Sequence, residues 1–349
     1  MVTTMSSARH FGLTVGQLPT GPHNAITDVA GVMVGHRTLS GNGLATGVTA
    51  ILPHGGDLFR NKVRAAVEII NGFGKSAGLM QVAELGLIET PILLTNTFSV
   101  APCMEALIRR AVGANPAIGR ETSTVNALVC ECNDGAINDI QAMAVTPQDA
   151  FAALDGAASG PVEQGSVGAG CGMTSFGFRA GIGSASRQIG IADASFVLGA
   201  LVLSNFGRAG DLILPDGRRP DPERLPQAEK GSIIVVLATD IPLGDRQLQR
   251  VARRAGAGIA SLGSFWGHGS GDIAIAFTTA DHVAHKPKEA FQSIGRLDDD
   301  QIDKLFQAAA EATSEAVLNA MCAARATVGR DGRSFPSLAD WLAAFAPGT

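Results

Sequence analysis

The strongest candidate for chemistry is a serine at the start of a strongly apolar run. Ser232 follows Gly231, and residues 233–238 read Ile-Ile-Val-Val-Leu-Ala. A short apolar run rich in β-branched residues predicts a buried strand. The preceding segment, 208–230, carries four prolines among many charges, a composition that predicts an exposed and mobile linker. Ser232 is therefore expected where a flexible loop meets a core strand.

A cut between Gly231 and Ser232 would give this serine two catalytic groups. It would keep its hydroxyl nucleophile and gain an α-amine, whose reference pKa of about 7.7–8.0 suits a base near neutral pH. Because Gly231 lacks a Cβ, the peptide before the serine can adopt strained geometry. An ordinary junction of loop and strand with a capping serine is the alternative that this segment leaves open.

Composition excludes several functional classes. The net charge of −5, the lack of a basic cluster and the absence of tyrosine argue against a nucleic-acid partner. We see no signal-peptide pattern and no apolar run of about 20 residues, so no membrane association is predicted. An odd number of cysteines without a C-x-x-C pair predicts neither disulfides nor a zinc site and favours the cytoplasm; they are Cys103, Cys130, Cys132, Cys171 and Cys322.

Strand and helix patterns alternate along the chain, which predicts a single-domain, layered α/β fold. The first part predicts short strands over 27–53, a helical pattern over 62–85 that is broken near Gly72 and Gly74, a strand over 91–95, a helix over 101–112, a strand over 125–131 and a helix over 147–154. After these we expect strands over 196–203, 233–239 and 273–277, and helices over 246–259, 302–321 and 335–345, the last capped by Ser334.

An ordered set of short motifs resembles the self-processing aminopeptidases. This family includes the L-aminopeptidase/D-alanine esterase-amidases and the β-peptidyl aminopeptidases, which belong mechanistically with the N-terminal-nucleophile hydrolases. The resemblance covers nearly the whole chain and rests on residues 26–32, 86–91, 95–97, 132–135, 137–139, 165–170, 204–207, 231–236 and 269–273.

The resemblance implies a four-layer αββα sandwich made by a precursor that cuts itself at Gly231–Ser232. The two products would be an α-subunit of residues 1–231 and a β-subunit of residues 232–349. It also implies a homo-oligomer, a tetramer of processed heterodimers, that uses no metal or organic cofactor. The partner is a small peptide or amino-acid amide.

The same resemblance suggests three residues that assist Ser232. Asn205 is expected to donate to the oxyanion, and a plain turn asparagine is the alternative. Ser270 and Asp272 share one side if strand geometry begins there, and they are expected to orient the nucleophile or its amine. An Asx turn entering a strand is the alternative. The family can carry glutamate at position 272, so the shorter aspartate alters the reach of this group.

An aminopeptidase must also bind the substrate's ammonium group. Glu131, at the end of a predicted strand, is the first candidate, and Asp134 is the second. A surface turn acid is the alternative for both. Relatives carry a tyrosine after the Asp-Gly, where this chain has Ala136. Phe265 and Trp266 precede the Ser270 motif and are expected either to line a substrate pocket or to pack in the core.

These residues predict hydrolysis of N-terminal amide or ester bonds of small peptides and amino-acid amides through an acyl-Ser232 intermediate. β-Amino-acid peptides are among the substrates considered. Acyl transfer, or amidase action on non-peptide amides, is one alternative. An unprocessed, non-enzymatic ligand-binding protein on the same scaffold, suggested by Ala136, is another.

Overall fold

The computed structural model describes residues 7–222, 230–291 and 293–345. The strands are β1 (Met33–Gly41), β2 (Leu44–Leu52), β3 (Asn61–Gly72), β4 (Leu87–Ile88), β5 (Ile92–Asn96), β6 (Leu128–Cys132), β7 (Thr174–Ser175), β8 (Phe178–Arg179), β9 (Ile182–Ile191), β10 (Ala194–Asn205), β11 (Lys230–Thr239), β12 (Gly269–Ala284), β13 (Thr327–Val328) and β14 (Ser334–Phe335). The helices are α1 (Leu79–Leu85), α2 (Val100–Ala114), α3 (Pro147–Asp155), α4 (Asp245–Ser261), α5 (Asp303–Cys322) and α6 (Leu338–Ala344).

Two mixed sheets form the centre of the molecule. Among the described residues, the first sheet has the strand order β1-β2-β5-β6, and the second has the order β4-β3-β12-β11-β10-β9. Neighbouring strands are antiparallel except for β5 with β6 and β11 with β12. The strands β11 and β12 lie between β3 and β10, so the chain after residue 231 is built into the middle of a sheet whose other strands come from the chain before it.

Three apolar layers hold the sheets and helices together. One core lies between the two sheets, and each sheet packs its outer face against helices, α2 and α3 on the first sheet and α4 and α5 on the second. Side chains of β11 alternate between two of these cores, because successive residues of a strand point to opposite faces. The expected four-layer αββα sandwich is confirmed.

Close packing of α5 on the second sheet depends on a glycine in β9. A Cβ at Gly183 would lie 1.9 Å from the backbone oxygen of Ala316. Only glycine permits the helix to approach the strand this closely.

The helix predicted over residues 62–85 is wrong in its first half. Residues 61–72 form β3, which pairs with β12, and only Leu79–Leu85 is helical. The apolar residues of this segment fit both the helical and the strand period. Every second residue, Val63, Ala65 and Val67, packs into the core between the two sheets, and this two-residue period is that of a strand.

The linker predicted over 208–230 is less exposed than expected. Leu212 and Leu214 are buried in the core under α4 and α5, and the Ile213 N–H donates to the carbonyl of Leu262 at 3.0 Å. Leu212 and Leu214 lie between charged residues of this segment and pack it against the core. Residues 223–229 lie outside the described residues, so the prediction for them stays a prediction.

The other predicted helices and strands are present, and most of their ends agree to within a few residues; the strand predicted over 273–277 is longer and spans Gly269–Ala284. The strand β9 lies in a segment for which the sequence predicts no strand. The last helix is an exception in its cap: it begins after Ser337, whose side chain accepts from the backbone of Asp340, while Ser334 lies in β14. In the described part of the chain, no helix has the length and apolar character that crossing a membrane requires.

Candidate active site

The candidate site lies at one end of the sandwich, where strands of both sheets meet. In the second sheet, β11 and β12 begin at Lys230 and Gly269, and β10 ends at Asn205. In the first sheet, β5 and β6 end at Asn96 and Cys132. Residues far apart in the sequence therefore converge around the start of β11.

Ser232 is 5% exposed and its hydroxyl faces the peptide that precedes it. Its Oγ donates to the carbonyl oxygen of Gly231 at 2.7 Å and accepts from the backbone N–H of Gly271 at 3.3 Å. Gly231 has a φ of +134°, and a Cβ there would lie 2.0 Å from the backbone oxygen of Asn205. The residue before the serine must therefore be glycine.

Asn205 lies opposite Ser232 in the antiparallel pair of β10 and β11. Its Nδ2 donates to the carbonyl of Asn133 at 2.9 Å, and its Oδ1 accepts from the N–H of Thr174 at 3.0 Å. These bonds fix the plane of the amide beside the nucleophile. An amide nitrogen carries two N–H groups, and the bond to Asn133 accounts for one of them.

Ser270 and Asp272 form a buried pair on β12, beside the strand that carries Ser232. The Ser270 hydroxyl donates to Asp272 Oδ1 at 2.7 Å. Their register partners on β11 are Gly231 and Ile233, the two neighbours of Ser232. The predicted proximity of the hydroxyl to the carboxylate is thus present, alongside the backbone on either side of Ser232.

Glu131 is 3% exposed and turns its carboxylate to a cavity of about 640 Å³ that Ser232 also lines. One carboxylate oxygen accepts from the backbone N–H of Lys75 at 2.7 Å, and the other accepts from the hydroxyl of Thr97. The remaining lining residues are Phe73, Lys75, Thr97, Asn133, Arg208, Gly231, Phe265, Gly267, His268 and Gly269.

Asp134 points away from this cavity. It is fully buried and accepts from Asn138 Nδ2 at 3.0 Å. Burial raises the pKa of its carboxyl to about 6, although hydrogen bonds from Thr46, Asn138 and Asn96 oppose the shift. Ala136 is exposed, and its carbonyl accepts from the Arg330 N–H at 3.3 Å. Neither Asp134 nor Ala136 lines the cavity that contains Glu131.

Sequence reasoning missed Phe73 and Lys75, which line the cavity directly after β3. They lie at the predicted break of the 62–85 helix, and only the strand formed by residues 61–72 places them at the site. Arg208 also lines the cavity, although its segment had been predicted as linker. Of the two aromatic candidates, Phe265 lines the cavity, whereas Trp266 packs over Gly256 of α4.

A buried thiol joins the two sheets behind Ser232. The single S–H of Cys132 lies within hydrogen-bond distance of two carbonyls, that of Ser232 at 3.4 Å and that of Leu203 at 3.6 Å. Burial raises the pKa of this thiol well above its ordinary value, so it stays protonated and serves as a donor. All five cysteines are free and buried.

Together these residues offer a hydroxyl nucleophile, a buried carboxylate and a cavity between them. The cavity volume lies in the range of small-ligand sites, about 300–1,000 Å³. A buried carboxylate can bind a cationic group of a ligand while the hydroxyl attacks a nearby carbonyl. This geometry fits acyl transfer from a small substrate that carries a positive charge.

Comparison with known proteins agrees with this chemistry. Residues 24–335 match the model of peptidase family S58. The chain is 37% identical to the beta-peptidyl aminopeptidase BapA of Sphingosinicella microcystinivorans over 358 residues, 95% of this chain and 89% of that protein.

Two solved structures share the fold over nearly the full length. A protein from Pyrococcus horikoshii OT3 superposes with a TM-score of 0.89 at 43% identity, covering 97% of this chain and 98% of that one. The L-aminopeptidase D-Ala-esterase/amidase of Ochrobactrum anthropi, described as a prototype of the serine aminopeptidases and a variant of the Ntn hydrolase fold, gives 0.84 at 39% identity, covering 93% and 92%.

The sequence left open whether the protein is an enzyme or a non-enzymatic binding protein. These matches support an enzyme. The chain belongs to peptidase family S58 and is a hydrolase with the N-terminal-nucleophile fold of the serine aminopeptidases.

Proposed function

We propose that this chain cuts itself between Gly231 and Ser232 and then acts as a serine aminopeptidase with Ser232 as nucleophile. The observation that carries the proposal is the Ser232 hydroxyl, which donates to the carbonyl of its own preceding residue at 2.7 Å. The positive φ of Gly231, which only glycine adopts readily, and the absence of space for a Cβ there support a close approach of the Ser232 hydroxyl to this peptide.

The processing step is an acyl shift followed by hydrolysis. Ser232 Oγ attacks the Gly231 carbonyl carbon, the C–N bond breaks, and the released nitrogen takes the hydroxyl proton. Water then hydrolyses the ester. Gly231 is left with a carboxylate, and Ser232 is left with a free hydroxyl and a free amine.

The freed amine is the base in turnover. Its reference pKa of about 7.7–8.0 makes it partly neutral near pH 8, so it can accept the Ser232 proton during attack. The buried Ser270–Asp272 pair borders the backbone on either side of Ser232, which supports a role in holding this amine. The resulting acyl-Ser232 ester is hydrolysed by water, and the leaving amine of the substrate carries away the proton.

Asn205 is proposed to stabilise the oxyanion, because its fixed amide lies opposite Ser232. The Gly271 N–H donates to Ser232 Oγ and is proposed to hold the attacking oxygen in place. Losing one oxyanion donor typically costs about 2.7–4 kcal/mol of transition-state stabilisation.

Glu131 is proposed to bind the substrate's N-terminal ammonium. Its burial at the cavity wall and its fixed hydrogen bonds favour recognition of one cation in one place. The substrates are therefore small peptides, amino-acid amides or esters with a free amino terminus. The name of the Sphingosinicella relative supports including peptides with an N-terminal β-amino acid.

The assembled state and location are also part of the proposal. On the family resemblance, we propose a tetramer of processed heterodimers, which light scattering of the purified protein tests. Five buried free thiols favour a reducing compartment such as the cytoplasm.

Intact-mass measurement of the wild type and of Ser232→Ala tests the first step. We expect two fragments from the wild type, beginning at residues 1 and 232, and one 35.8 kDa chain from the variant. The variant should lose roughly 1,000-fold or more of the release of N-terminal residues, since nucleophile and base vanish together. Ser195→Ala, on an exposed part of β10, is the matched control and should behave as wild type. An uncut wild-type chain that is fully active would contradict the proposal.

A further inference from the structure

The cavity at Ser232 has a negative group in its wall and a positive group at its opening. Glu131 is buried in its wall, whereas Lys75 is exposed at its opening. A cation at the opening can pair with a negative group of a substrate whose ammonium is held by Glu131. The arrangement therefore favours a ligand with a positive end and a negative end.

Lys75 takes part in both charged regions, through its backbone at Glu131 and through its side chain at the opening. Its backbone N–H donates to Glu131 at 2.7 Å. Its ammonium lies 4.3 Å from the centre of the Phe73 ring, a cation–π contact that keeps the charge beside the opening. The Lys75 backbone thus holds the Glu131 carboxylate in place, and the Phe73 ring holds the Lys75 ammonium.

The second cation of the cavity already has a partner. Arg208 forms two hydrogen bonds to Asp211, at 2.7 and 3.0 Å, so its charge is balanced within the protein. Within residues 7–222, 230–291 and 293–345, no carboxylate lies within ion-pair distance of the Lys75 ammonium. Lys75 is the cation that the cavity offers to a ligand.

We propose that Lys75 binds the C-terminal carboxylate of the substrate, so that the enzyme prefers free dipeptides to their C-terminal amides. The inference rests on the proposed function, in which Glu131 holds the ammonium and Ser232 attacks the bond between the two residues. An extended dipeptide spans about 7 Å, a length that a cavity of about 640 Å³ accommodates. Lys75 is a specificity-determining residue in this scheme, because it contacts the leaving group.

Steady-state kinetics on paired substrates tests the inference. The substrates are L-alanyl-L-leucine, β-alanyl-L-leucine and the C-terminal amide of each. For Lys75→Met we expect kcat/KM to fall about two- to fivefold on the free dipeptides, mainly through KM, and to stay unchanged on the amides. Lys75→Arg should keep most of the preference, and Lys288→Met, at an exposed lysine away from the cavity, should keep all of it. In the wild type the preference should shrink in 0.5 M salt, because the pair is exposed.

Three results would overturn the inference. One is an equal loss by Lys75→Met on acids and amides, which would make Lys75 a general or structural residue. A second is no change on either form. A third is a wild-type preference for the amides. If the wild type releases alanine or β-alanine from none of the four substrates, the proposed function itself fails and the inference falls with it.

Discussion

At the scale of single residues, the site depends on carboxylates placed in different surroundings. Glu131 and Asp134 are three positions apart in the sequence, and both are buried. Glu131 meets a backbone N–H, a hydroxyl and the cavity, whereas Asp134 is enclosed among amides and hydroxyls away from it. Chemical type alone could not separate them, and only one faces the space that a substrate can enter.

Glu131→Gln should remove recognition of the amino terminus while preserving shape. The loss of a charge-assisted hydrogen bond of about 1.5–3 kcal/mol predicts a fall in kcat/KM of roughly 10- to 100-fold on a dipeptide. The des-amino analogue of the same substrate should show no further loss. The matched control is Glu105→Gln on the exposed face of α2. Equal losses on the two substrates would argue against ammonium binding by Glu131.

Asp134 predicts a specific pH dependence of stability. Its pKa in the folded protein, about 6, is above the ordinary value of 3.8, because burial disfavours the charged form. Because this pKa is raised on folding, Asp134 makes its full contribution to the free energy of unfolding below about pH 4. The contribution is lost as the pH rises through 6. Relative to Asp134→Asn, the wild type should lose roughly 2 kcal/mol of unfolding free energy between pH 4 and pH 7.5. Urea unfolding of both proteins at the two pH values measures this difference, and parallel pH profiles would contradict it.

At the scale of elements, the site exists because strand ends are brought into register by close packing. β11 begins beside β12 and opposite the end of β10, and α5 presses on β9 to hold the outer face of that sheet. The positions at which a side chain would separate these elements are occupied by glycine, as at Gly183.

Gly183→Ala should separate α5 from the sheet. The added Cβ would meet the Ala316 carbonyl at 1.9 Å, so the helix must shift, at a cost of about 1–3 kcal/mol in the free energy of unfolding. Gly190→Ala is the matched control in the same strand, because nothing lies within 4 Å of a Cβ there. Denaturant unfolding distinguishes them, and comparable stabilities of the two variants would show that the helix adapts freely.

At the scale of the whole molecule, the two portions separated by the proposed cut are interlocked. A buried ion-pair network adds to the shared sheet: Arg187, before the cut, contacts Glu311 at 2.9 Å and Glu315 at 2.7 Å, both after it. Arg9 also reaches Glu315, at 2.6 Å. The network ties the amino-terminal segment and β9 to α5.

Arg187→Met should weaken this connection strongly. Arg187 and Glu315 have fully buried side chains, and removing one partner of such a pair typically costs about 3–5 kcal/mol. Arg330→Met breaks the exposed pair of Arg330 with Asp139 and should cost no more than about 1 kcal/mol. Thermal unfolding of the purified proteins measures both. A small effect at Arg187 would mean that Arg9 and neighbouring donors suffice for Glu315.

The sequence by itself determined the family and the layered α/β class, and it singled out Ser232 as the proposed nucleophile. Ser232 is identified by local features, a glycine before it and an apolar strand after it, and these survive in the structure because β11 is buried on both faces. Most helices were also readable, since their apolar faces repeat at the helical period.

Only the tertiary structure decided which residues outside the recognised motifs lie at the cavity with Ser232. Residues 61–72 fit two periods, and pairing with β12 made them a strand, which brought Phe73 and Lys75 to the cavity. Leu212 and Leu214 anchor a segment whose average composition predicted exposure. Burial, pairing and charge balance depend on neighbours distant in the chain, and local sequence carries no record of which neighbours those are.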